Sequence, residues 1–325
     1  MKAIVCTQYG PPDLLRFTEL PQPVPAGDQV LVRVGAASVN PMDWHILRGE
    51  PFPVRFFAGL SKPKHPIPGS DFAGQVEAVG SAITRFRPGD QVFGARGFAG
   101  GAFAEYLCAT ESQIALKPPN ISFDQAAAVP VAAVTALIGL RDKGRIRPGL
   151  KVLIDGASGG VGTFAIQLAR YFDTEVTAVC STRNLDIALS LGAGRVIDYT
   201  RQDFTRNGER YDLILAANAF HSIFDYRRAL AADGICVMAG GKPSLVGTLQ
   251  DLLLGPLLTA TRGKKTTSFL ARLDNSDLVF LGELLASGSL VPVIDRRYPL
   301  SEAADAIAYL EKGHAQGKVI LTVAG

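Results

Sequence analysis

The sequence contains few of the residues that form disulfides or bind metal ions. Its 325 residues include four cysteines and four histidines. The cysteines, Cys6, Cys108, Cys180 and Cys236, show no C-x-x-C spacing, so neither a zinc site nor a redox pair is indicated. Scattered cysteines are typical of a reducing compartment, and the start MKAIVCTQYG does not have the pattern of a signal peptide. We therefore expect a cytoplasmic location.

A strong charge of one sign and a long apolar run are also missing. The 33 basic and 30 acidic residues give a net charge of only +3. The broad positive surface of a nucleic-acid-binding protein is therefore not expected, and neither is a nucleic-acid partner. The longest apolar stretch, 245–258, is interrupted by Asp251 and Pro256 and is shorter than the roughly 20 residues of a membrane span.

Two regions of different pattern follow one another along the chain. The length suggests two domains, and the 47% of hydrophobic residues is sufficient for their cores. Residues 1–123 are rich in proline and glycine and contain short β-branched runs, which predict a compact β domain. Two strands near the carboxyl terminus can return to it. We therefore assign residues 1–123, completed by 290–325, to a first domain and 124–289 to a second.

Residues 124–289 alternate between predicted strands and helices. The strands cover 151–154, 175–180, 195–198, 212–216 and 235–239, and the helices cover 124–140, 163–171, 183–191, 223–231 and 275–287. Such alternation implies βαβ crossovers and a parallel sheet with helices on both faces. The expected fold class is α/β, a doubly wound parallel sheet joined to the β-rich domain.

A glycine-rich turn lies between the first of these strands and the next helix. The run 156–162, GASGGVG, has the strand–turn–helix context of a dinucleotide-binding fingerprint, with Ala157 at the position of the first glycine. Gly159 allows the backbone to approach a pyrophosphate, Gly162 allows close helix–strand packing, and the helix N-terminus supplies N–H groups. The alternative is an ordinary glycine-rich turn. The predicted cofactor contacts are Ser158, Gly159, Gly160, Val161 and Gly162.

The residues after the second strand indicate which dinucleotide binds. NAD-specific proteins carry an Asp or Glu there, which binds the ribose 2′-hydroxyl. The segment 180–184, CSTRN, has no carboxylate, whereas Ser181 and Arg183 offer a hydroxyl and a guanidinium that can hold a 2′-phosphate. NADPH is therefore the predicted cofactor. The alternative for Arg183 is a solvated residue at the start of a helix.

Longer motifs resemble a known family. The segments GASGGVGTFAIQLAR, AAAVPVAAVTAL and KVIL are similar to the medium-chain dehydrogenase/reductase superfamily, over nearly the whole chain. The segments SVNPMDWHILRGE, PIPGSDFAGQVEAVG and GHAQGK resemble its zinc-independent quinone oxidoreductase branch. The resemblance implies a GroES-like catalytic domain, a Rossmann domain with six parallel strands, and an active site in the cleft between them. It also implies NADPH-driven reduction of a quinone or an α,β-unsaturated carbonyl.

The resemblance directs attention to residues 40–44. Zinc-dependent relatives have a Cys and a His-Glu pair where this chain has Asn40 and Ser70-Asp71, which cannot supply three zinc ligands, so no metal is predicted. We expect Asn40 to hydrogen-bond the acceptor carbonyl or, alternatively, to cap the turn before Pro41. Asp43 delivers a proton or pins the loop through backbone hydrogen bonds. Trp44 lines an aromatic acceptor or packs under the loop.

Further cofactor contacts are implied by the resemblance alone. Thr135 corresponds to a threonine that faces the nicotinamide, Tyr199 to an aromatic beside the adenosine phosphate, and Asn218 to a residue near the nicotinamide ribose. The segment with His314, Gly317 and Lys318 corresponds to one that closes over the cofactor. As plain sequence, Thr135 is an ordinary helix residue and Tyr199 an ordinary aromatic at a strand end.

The segment 244–269 combines many leucines with Arg262, Lys264 and Lys265. This composition predicts a hydrophobic lid with a basic rim, which suits a long apolar acceptor or peripheral contact with a membrane. The alternative is a packing or interface helix, and the resemblance implies a homodimer. Two other functions stay open: a reductase of 2-alkenals or γ-ketols, and a non-catalytic NADPH-binding sensor.

Overall fold

The computed structural model describes residues 1–240 and 263–323. The chain forms two compact units, unit 1 being Met1–Val134 with Arg272–Gly325 and unit 2 being Thr135–Ala271. The strands are β1 Lys2–Val5, β2 Arg16–Glu19, β3 Gln29–Val39, β4 Asp71–Val79, β5 Gln91–Ala95, β6 Tyr106–Thr110, β7 Ile114–Leu116, β8 Lys151–Asp155, β9 Glu175–Cys180, β10 Arg195–Asp198, β11 Tyr211–Ala216, β12 Leu230–Met238, β13 Lys265–Ser268, β14 Ile294–Pro299 and β15 Lys318–Thr322.

The α-helices lie between these strands. They are α1 Pro41–Arg48, α2 Arg55–Ala58, α3 Phe123–Ala127, α4 Pro130–Leu137, α5 Gly160–Tyr171, α6 Leu185–Ser190, α7 Ile223–Ala229, α8 Asn275–Ala286 and α9 Ala303–Glu311. Single turns of 3-10 helix occur at Pro12–Leu14, Phe52–Val54, Gly97–Ala99, Glu111–Gln113, Thr182–Asn184 and Leu300–Glu302. A π-helical segment, Ile138–Lys143, follows α4.

Unit 1 is built on a largely antiparallel sheet. Among the described residues its strand order is β14-β15-β3-β4-β5-β7, with β6 also paired to β3. The pairing of β15 with β3 sets Ile320 opposite Ser38, and the pairing of β3 with β4 sets Ser38 opposite Asp71. The carboxyl-terminal strand therefore brings Lys318, at its start, to the region where β3 ends and β4 begins.

Unit 2 is built on a parallel sheet, and this prediction is confirmed. Its described strands are all parallel to their neighbours, in the order β10-β9-β8-β11-β12-β13. Val152, Leu153 and Ile154 of β8 are completely buried, as expected for a strand covered on both faces. The order reverses between β8 and β11. In open α/β sheets, ligands bind at the carboxyl ends of the strands at such a reversal.

The single helix predicted over 124–140 is wrong. The structure has two helices there, α3 and α4, followed by the π-helical segment Ile138–Lys143. Pro130 begins α4, because proline has no N–H for the preceding turn and disfavours helical geometry in the residue before it. The break could have been read from the sequence.

The compact units divide at 134/135 and 271/272, whereas the sequence-based boundaries are at 123/124 and 289/290. The difference has a packing cause at each boundary. Asp124 of α3 accepts a hydrogen bond of 2.6 Å from Arg297 of β14. Asn275 of α8 accepts a hydrogen bond of 2.7 Å from Arg85. Both α3 and α8 therefore pack on unit 1.

Most of the segment 244–269 lies outside the described residues. Its end is described, and Lys265–Ser268 forms β13, the strand parallel to β12, rather than part of a lid. None of the described helices is long and apolar enough to cross a membrane. The four cysteines are free thiols.

Candidate functional site

The glycine-rich turn of unit 2 joins the carboxyl end of β8 to the first turn of α5. Gly156 has φ +78°, a conformation that glycine adopts without strain. A Cβ on Gly156 would lie 2.8 Å from the Cβ of Asn218, and one on Gly162 only 2.2 Å from the Gly156 carbonyl oxygen. The residue of this turn with a positive φ is therefore Gly156, directly before Ala157.

The same turn leaves space where a ligand would approach. Gly159 is the N-cap of α5, and a Cβ there would have its nearest neighbour at 3.5 Å. The backbone N–H groups of Gly160, Val161 and Gly162 belong to the first helical turn, where N–H groups and the helix dipole favour an anion. The turn is bonded to both adjacent strands, by Ala157 N–H to Val179 O at 3.0 Å and Ala217 N–H to Asp155 O at 2.9 Å. These residues fit the pyrophosphate of a dinucleotide.

A buried asparagine connects two predicted cofactor residues. Asn184 is 3% exposed, and its amide nitrogen donates to Ser158 Oγ at 2.9 Å and to Ser181 Oγ at 3.1 Å. It thereby fixes the serine of the turn relative to the serine after β9. Sequence reasoning missed Asn184, although it belongs to the same CSTRN segment as Ser181 and Arg183. Arg183 is exposed at this edge, one residue before Asn184.

A carboxylate does reach this edge, from the next strand of the sheet. Asp198, at the end of β10, accepts from Thr182 Oγ1 at 2.5 Å and from Thr200 Oγ1 at 2.7 Å. These hydroxyls, Thr182 foremost, lower the pKa of Asp198. Tyr199 follows it, is 60% exposed, and donates its backbone N–H to Cys180 O at 3.1 Å. Tyr199 therefore lies next to Ser181, as the predicted adenosine-phosphate contact requires.

The two remaining cofactor residues of unit 2 differ in their surroundings. Asn218 is half-buried at the carboxyl end of β11 and packs on Gly156 of the turn. Thr135 lies in α4 and is 8% exposed. The predicted contacts of the glycine turn, residues 158–162, therefore share one edge of the sheet with Ser181, Arg183, Tyr199 and Asn218.

The last residue of β8 forms a buried pair with a tyrosine of α7. Tyr226 OH donates to Asp155 Oδ2 at 2.5 Å, and the ring of His221 packs edge-on against Tyr226 at 5.8 Å. Burial raises the pKa of Asp155 to about 6, although the bond from Tyr226 opposes the increase. The same burial raises the pKa of Tyr226. Since Asp155 directly precedes Gly156, this pair supports the start of the turn.

Replacing Tyr226 by phenylalanine is expected to reduce stability more at pH 8 than at pH 5. Above pH 6 Asp155 is ionised in the folded protein, and losing a donor to a buried carboxylate costs about 1–3 kcal/mol. At pH 5 the carboxyl is protonated in the fold, so less is lost. The substitution raises the pKa of Asp155 in the folded protein further above its value in the unfolded chain. The stability lost by the variant therefore grows as the pH rises from 5 to 8. Thermal unfolding at both pH values tests this, and equal losses would contradict it.

Unit 1 contains a buried polar cluster at the ends of β3, β4 and β15. Lys318 Nζ donates to Asn40 Oδ1 at 2.6 Å and lies 3.3 Å from Asp71 Oδ2. Asp71 also accepts from Asn40 Nδ2 at 2.9 Å, from Ser38 Oγ at 2.9 Å and from the Val131 N–H at 3.0 Å. Asn40, Asp71 and Lys318 are each 3% exposed or less. The Asn40 amide thus has protein partners on both its oxygen and its nitrogen.

The other two predicted catalytic residues begin α1, which follows Asn40. Asp43 Oδ2 accepts the Asn40 N–H at 2.7 Å, so Asp43 does pin this turn. Asp43 is 3% exposed, and burial raises its pKa to about 7, with the charge of Asp71 adding to the increase. Trp44 is half-buried against the core of unit 1, and its ring lies 3.6 Å from that of His45.

The predicted cofactor residues of the carboxyl-terminal segment differ in their exposure to solvent. His314 is exposed, whereas Lys318 points into the buried cluster. Gly317 has φ +87°, and a Cβ there would lie 2.3 Å from the Val293 carbonyl oxygen, so a glycine is required by the backbone. Within residues 1–240 and 263–323, no group of three or more His, Cys, Asp or Glu side chains is arranged to hold a metal ion.

Asp43 also lines a small cavity in unit 1. The space open to a water molecule in it is about 20 Å³, room for about one water, and its lining is Asp43, Ile46, His65, Ile67, Pro68, Gly69, Gly97, Phe98 and Gly100. The walls are mostly apolar or glycine backbone, with Asp43 and His65 as the titratable groups. Burial and the charges of Lys64 and Arg96 lower the pKa of His65, so this ring is neutral near pH 7.

These features define a class of protein. A parallel sheet with the Rossmann strand order and a glycine turn at its reversal is typical of dinucleotide-binding proteins. Two family models match this chain, "Alcohol dehydrogenase GroES-like domain" over residues 26–119 and "Zinc-binding dehydrogenase" over residues 191–321.

Known proteins are similar over the full length. A chloroplastic quinone-oxidoreductase homologue of Spinacia oleracea is 35% identical over 99% of this chain and 98% of its own. A chloroplastic NADPH-dependent alkenal/one oxidoreductase of Arabidopsis thaliana is 34% identical over 99% of this chain and 79% of its own. The solved quinone oxidoreductase of Coxiella burnetii superposes with a TM-score of 0.87 at 32% identity, covering 100% of this chain and 99% of that one. The chain belongs to the quinone oxidoreductase branch of the medium-chain dehydrogenase/reductase superfamily.

Proposed function

We propose that this protein is an NADPH-dependent reductase of quinones, acting without a metal. The observation that carries the proposal is Asp43, a buried acid that lines a small opening of unit 1 beside the Asn40–Asp71–Lys318 cluster. A quinone suits such an acid, because the oxygen that receives charge on reduction takes up a proton, which Asp43 can supply. The related protein from Coxiella burnetii is named as a quinone oxidoreductase and that from Spinacia oleracea as a quinone-oxidoreductase homologue, which supports this choice.

The choice of NADPH rests on the edge formed by Ser181, Arg183 and Tyr199. No carboxylate occurs in residues 180–184, and the carboxylate of Asp198 is occupied by Thr182 and Thr200. Arg183 offers a planar guanidinium, which is well suited to a phosphate. The Arabidopsis relative is named as NADPH-dependent, in agreement with this assignment.

In the proposed mechanism, Asp43 supplies a proton. The buried cluster of Asn40, Asp71 and Lys318 holds Asp43 in position. When bound at the glycine turn, the reduced nicotinamide supplies the hydride. The charge that develops on the acceptor oxygen is neutralised by the proton of Asp43. With its pKa raised to about 7, the carboxyl group of Asp43 can both hold and release a proton near neutral pH. Asn40 holds Asp43 through its backbone N–H and Asp71 through its amide, so we assign Asn40 a positioning role.

The pH dependence of kcat/KM tests the role of Asp43. Because its pKa is about 7 in the folded protein, Asp43 is a neutral acid below pH 7 and a carboxylate above it. We expect kcat/KM to fall as pH rises through 7. In Asp43→Asn that decrease should disappear and the rate should drop about 100-fold or more, as for loss of a general acid. The variant retains an oxygen that accepts the Asn40 N–H, and an unchanged pH profile would contradict the assignment.

The acceptor decides between this function and its alternatives. Purified protein is assayed with NADPH or NADH against phenanthrenequinone, a ubiquinone analogue and a 2-alkenal. We expect quinone turnover, with kcat/KM for NADPH at least about tenfold above that for NADH, because a charge-assisted bond to the 2′-phosphate is lost with NADH. A preference for the 2-alkenal would indicate a reactive-carbonyl reductase. NADPH binding without turnover of any acceptor would indicate a sensor.

A further inference from the structure

Four large apolar side chains are exposed within residues 52–60 of unit 1. Phe52, Phe56, Phe57 and Leu60 are 58%, 68%, 62% and 63% exposed, and we call them the apolar patch. Ala58 of α2, by contrast, is 3% exposed. Helix α2 therefore buries its alanine and exposes both of its phenylalanines, the reverse of the usual arrangement in a soluble protein. Clustered apolar exposure of this kind indicates a surface that contacts a partner or a lipid.

The backbone that carries the patch is held by hydrogen bonds. The Gly59 N–H donates to Arg55 O at 2.8 Å, and the Lys64 N–H donates to Ala58 O at 2.6 Å. Tyr9, far away in the sequence, donates its hydroxyl to the Gly59 carbonyl. The exposed side chains therefore stand on a braced segment, which lowers the entropy lost when a surface orders them.

Contacts within the segment occupy its arginine. The rings of Phe52 and Phe56 meet edge to face at 86°, with centroids 5.7 Å apart. The guanidinium carbon of Arg55 lies 5.8 Å from the Phe52 ring and 4.6 Å from the Tyr9 ring, and Arg55 Nε donates to Gly49 O at 3.0 Å. The charge available to a partner of the patch therefore comes from the lysines that follow it.

The charge around the patch has one sign. Residues 51–70 contain Arg55, Lys62 and Lys64 and neither Asp nor Glu. The chain folds back after α2, since a Cβ on Gly59 would lie 2.2 Å from the Lys62 carbonyl oxygen and 3.0 Å from the Lys64 nitrogen. Both lysine side chains are exposed, and neither forms an ion pair within residues 1–240 and 263–323. Two uncompensated ammonium groups beside an apolar patch attract an anionic surface.

We propose that the apolar patch, together with Lys62 and Lys64, docks unit 1 on the surface of a membrane that contains anionic lipids. The phenylalanine and leucine side chains enter the boundary between the headgroups and the acyl chains. The two ammonium groups stay at the level of the headgroups, where each lysine adds to the attraction.

Two features favour a lipid surface over a protein. Lysine is depleted in protein–protein interfaces, where arginine is enriched, and the two uncompensated cations of this surface are both lysines. A second copy of this chain that met the same patch would bring Lys62 and Lys64 of the two copies together, and like charges repel. An anionic bilayer satisfies both the apolar patch and the lysines.

Cosedimentation with vesicles tests the apolar part of this surface. The vesicles are phosphatidylcholine alone, or phosphatidylcholine mixed two to one with phosphatidylserine. We expect binding to the mixed vesicles only, and Phe56→Ser should weaken it about tenfold through lost apolar burial. The matched control is Phe224→Ser, which removes a 57% exposed phenylalanine of unit 2 and should bind like the wild type. No binding, equal binding to both kinds of vesicle, or an equal loss in the control would overturn the proposal.

The lysines are tested by a second pair of variants. Lys62→Gln/Lys64→Gln should weaken binding to the mixed vesicles about tenfold or more, and added salt should reduce the difference from the wild type. Lys2→Gln/Lys143→Gln removes two exposed lysines elsewhere, lowers the net charge equally and should have little effect. Equal losses in the two variants would show attraction by net charge alone and would overturn the assigned surface.

Two further readouts distinguish insertion from contact between copies. In Phe56→Trp the added indole should shift its emission to shorter wavelength with the mixed vesicles and not with phosphatidylcholine alone, because it enters the lipid boundary. Light scattering of the wild type and of Phe56→Ser gives the mass of each in solution. A wild-type dimer that Phe56→Ser dissociates would show that the patch joins two copies, and this would overturn docking on lipid.

Discussion

Gly162→Ala is expected to destabilise unit 2, whereas Gly159→Ala should leave its stability nearly unchanged and weaken NADPH binding. The added Cβ at Gly162 would lie 2.2 Å from the Gly156 carbonyl oxygen and 2.6 Å from the Ala157 Cα. These are backbone atoms of the turn, which cannot rotate away. Overpacking costs roughly 1–3 kcal/mol, and we expect the upper end of that range because the turn itself must move.

At Gly159 the same methyl group meets only the Gly156 carbonyl oxygen, at 3.5 Å. Gly159 has φ −79°, which alanine adopts, so the change in stability should stay within about 1 kcal/mol. The methyl group would stand where the phosphates approach, and we expect the Kd for NADPH to rise about tenfold or more, the effect of losing a charge-assisted bond.

Urea unfolding and NADPH titration of both variants measure the two effects separately. The pair forms its own control, since the substitutions are identical and three residues apart. If Gly159→Ala bound NADPH like the wild type, the turn would not be the phosphate site. If Gly162→Ala were as stable as the wild type, the close contact of turn and helix would be wrong.

Lys318→Met is expected to be the most destabilising substitution in unit 1. Its ammonium group and Asp71 form an ion pair at 3.3 Å, with side chains 3% and 0% exposed. Removing one partner of such a pair leaves an uncompensated buried charge, which costs about 3–5 kcal/mol. Hydrogen bonds from Ser38, Asn40 and Val131 remain on Asp71, so the lower part of that range is expected.

An exposed ion pair supplies the control. Arg195 and Glu209 of unit 2 lie 3.1 Å apart but are 48% and 44% exposed, and Arg195→Met should cost no more than about 1 kcal/mol. The double variant Asp71→Asn/Lys318→Met should lose less stability than the sum of its single variants, because the two groups interact directly. Additive losses would contradict the ion pair.

The same variant tests the predicted cofactor role of Lys318. Its Nζ is bonded within the buried cluster, to Asn40 and beside Asp71. If Lys318 contacts the cofactor, Lys318→Met should weaken NADPH binding. The geometry of the buried cluster favours a loss of stability instead. If Lys318→Met retained full stability and lost NADPH binding, the lysine would act on the cofactor rather than on the cluster.

The parallel sheet and the glycine turn could be predicted because their signals are local. Residues 176–180 of Glu175–Cys180 are a continuous apolar or β-branched run and are buried, and the predicted bounds of this strand and of the edge strand Arg195–Asp198 match the structure. The sequence also shows which residues of the turn are glycines. It does not show that a side chain at Gly156 would meet Asn218, because Asn218 follows a strand more than 50 residues later in the chain.

The buried cluster could not be predicted because its members are far apart in the sequence. Lys318 meets residues 278 and 247 positions earlier, Asn40 and Asp71, through the pairing of β15 with β3. No local pattern marks a lysine that a later strand carries into a core. Asp43 was identified as a candidate acid, but its raised pKa follows from burial beside Asp71, which only the folded structure provides. Asn184, by contrast, was within reach of the sequence argument.

Anaerobic mixing of the protein with NADPH and phenanthrenequinone tests the central claim most directly. The protein is present in catalytic amount, and NADPH loss and hydroquinone formation are followed together. We predict equal amounts of NADPH consumed and hydroquinone formed, with no semiquinone accumulating, because a hydride carries both electrons in one step. Semiquinone as the first product, or no consumption of NADPH above the protein-free rate, would contradict the claim that this chain is a hydride-transferring quinone reductase.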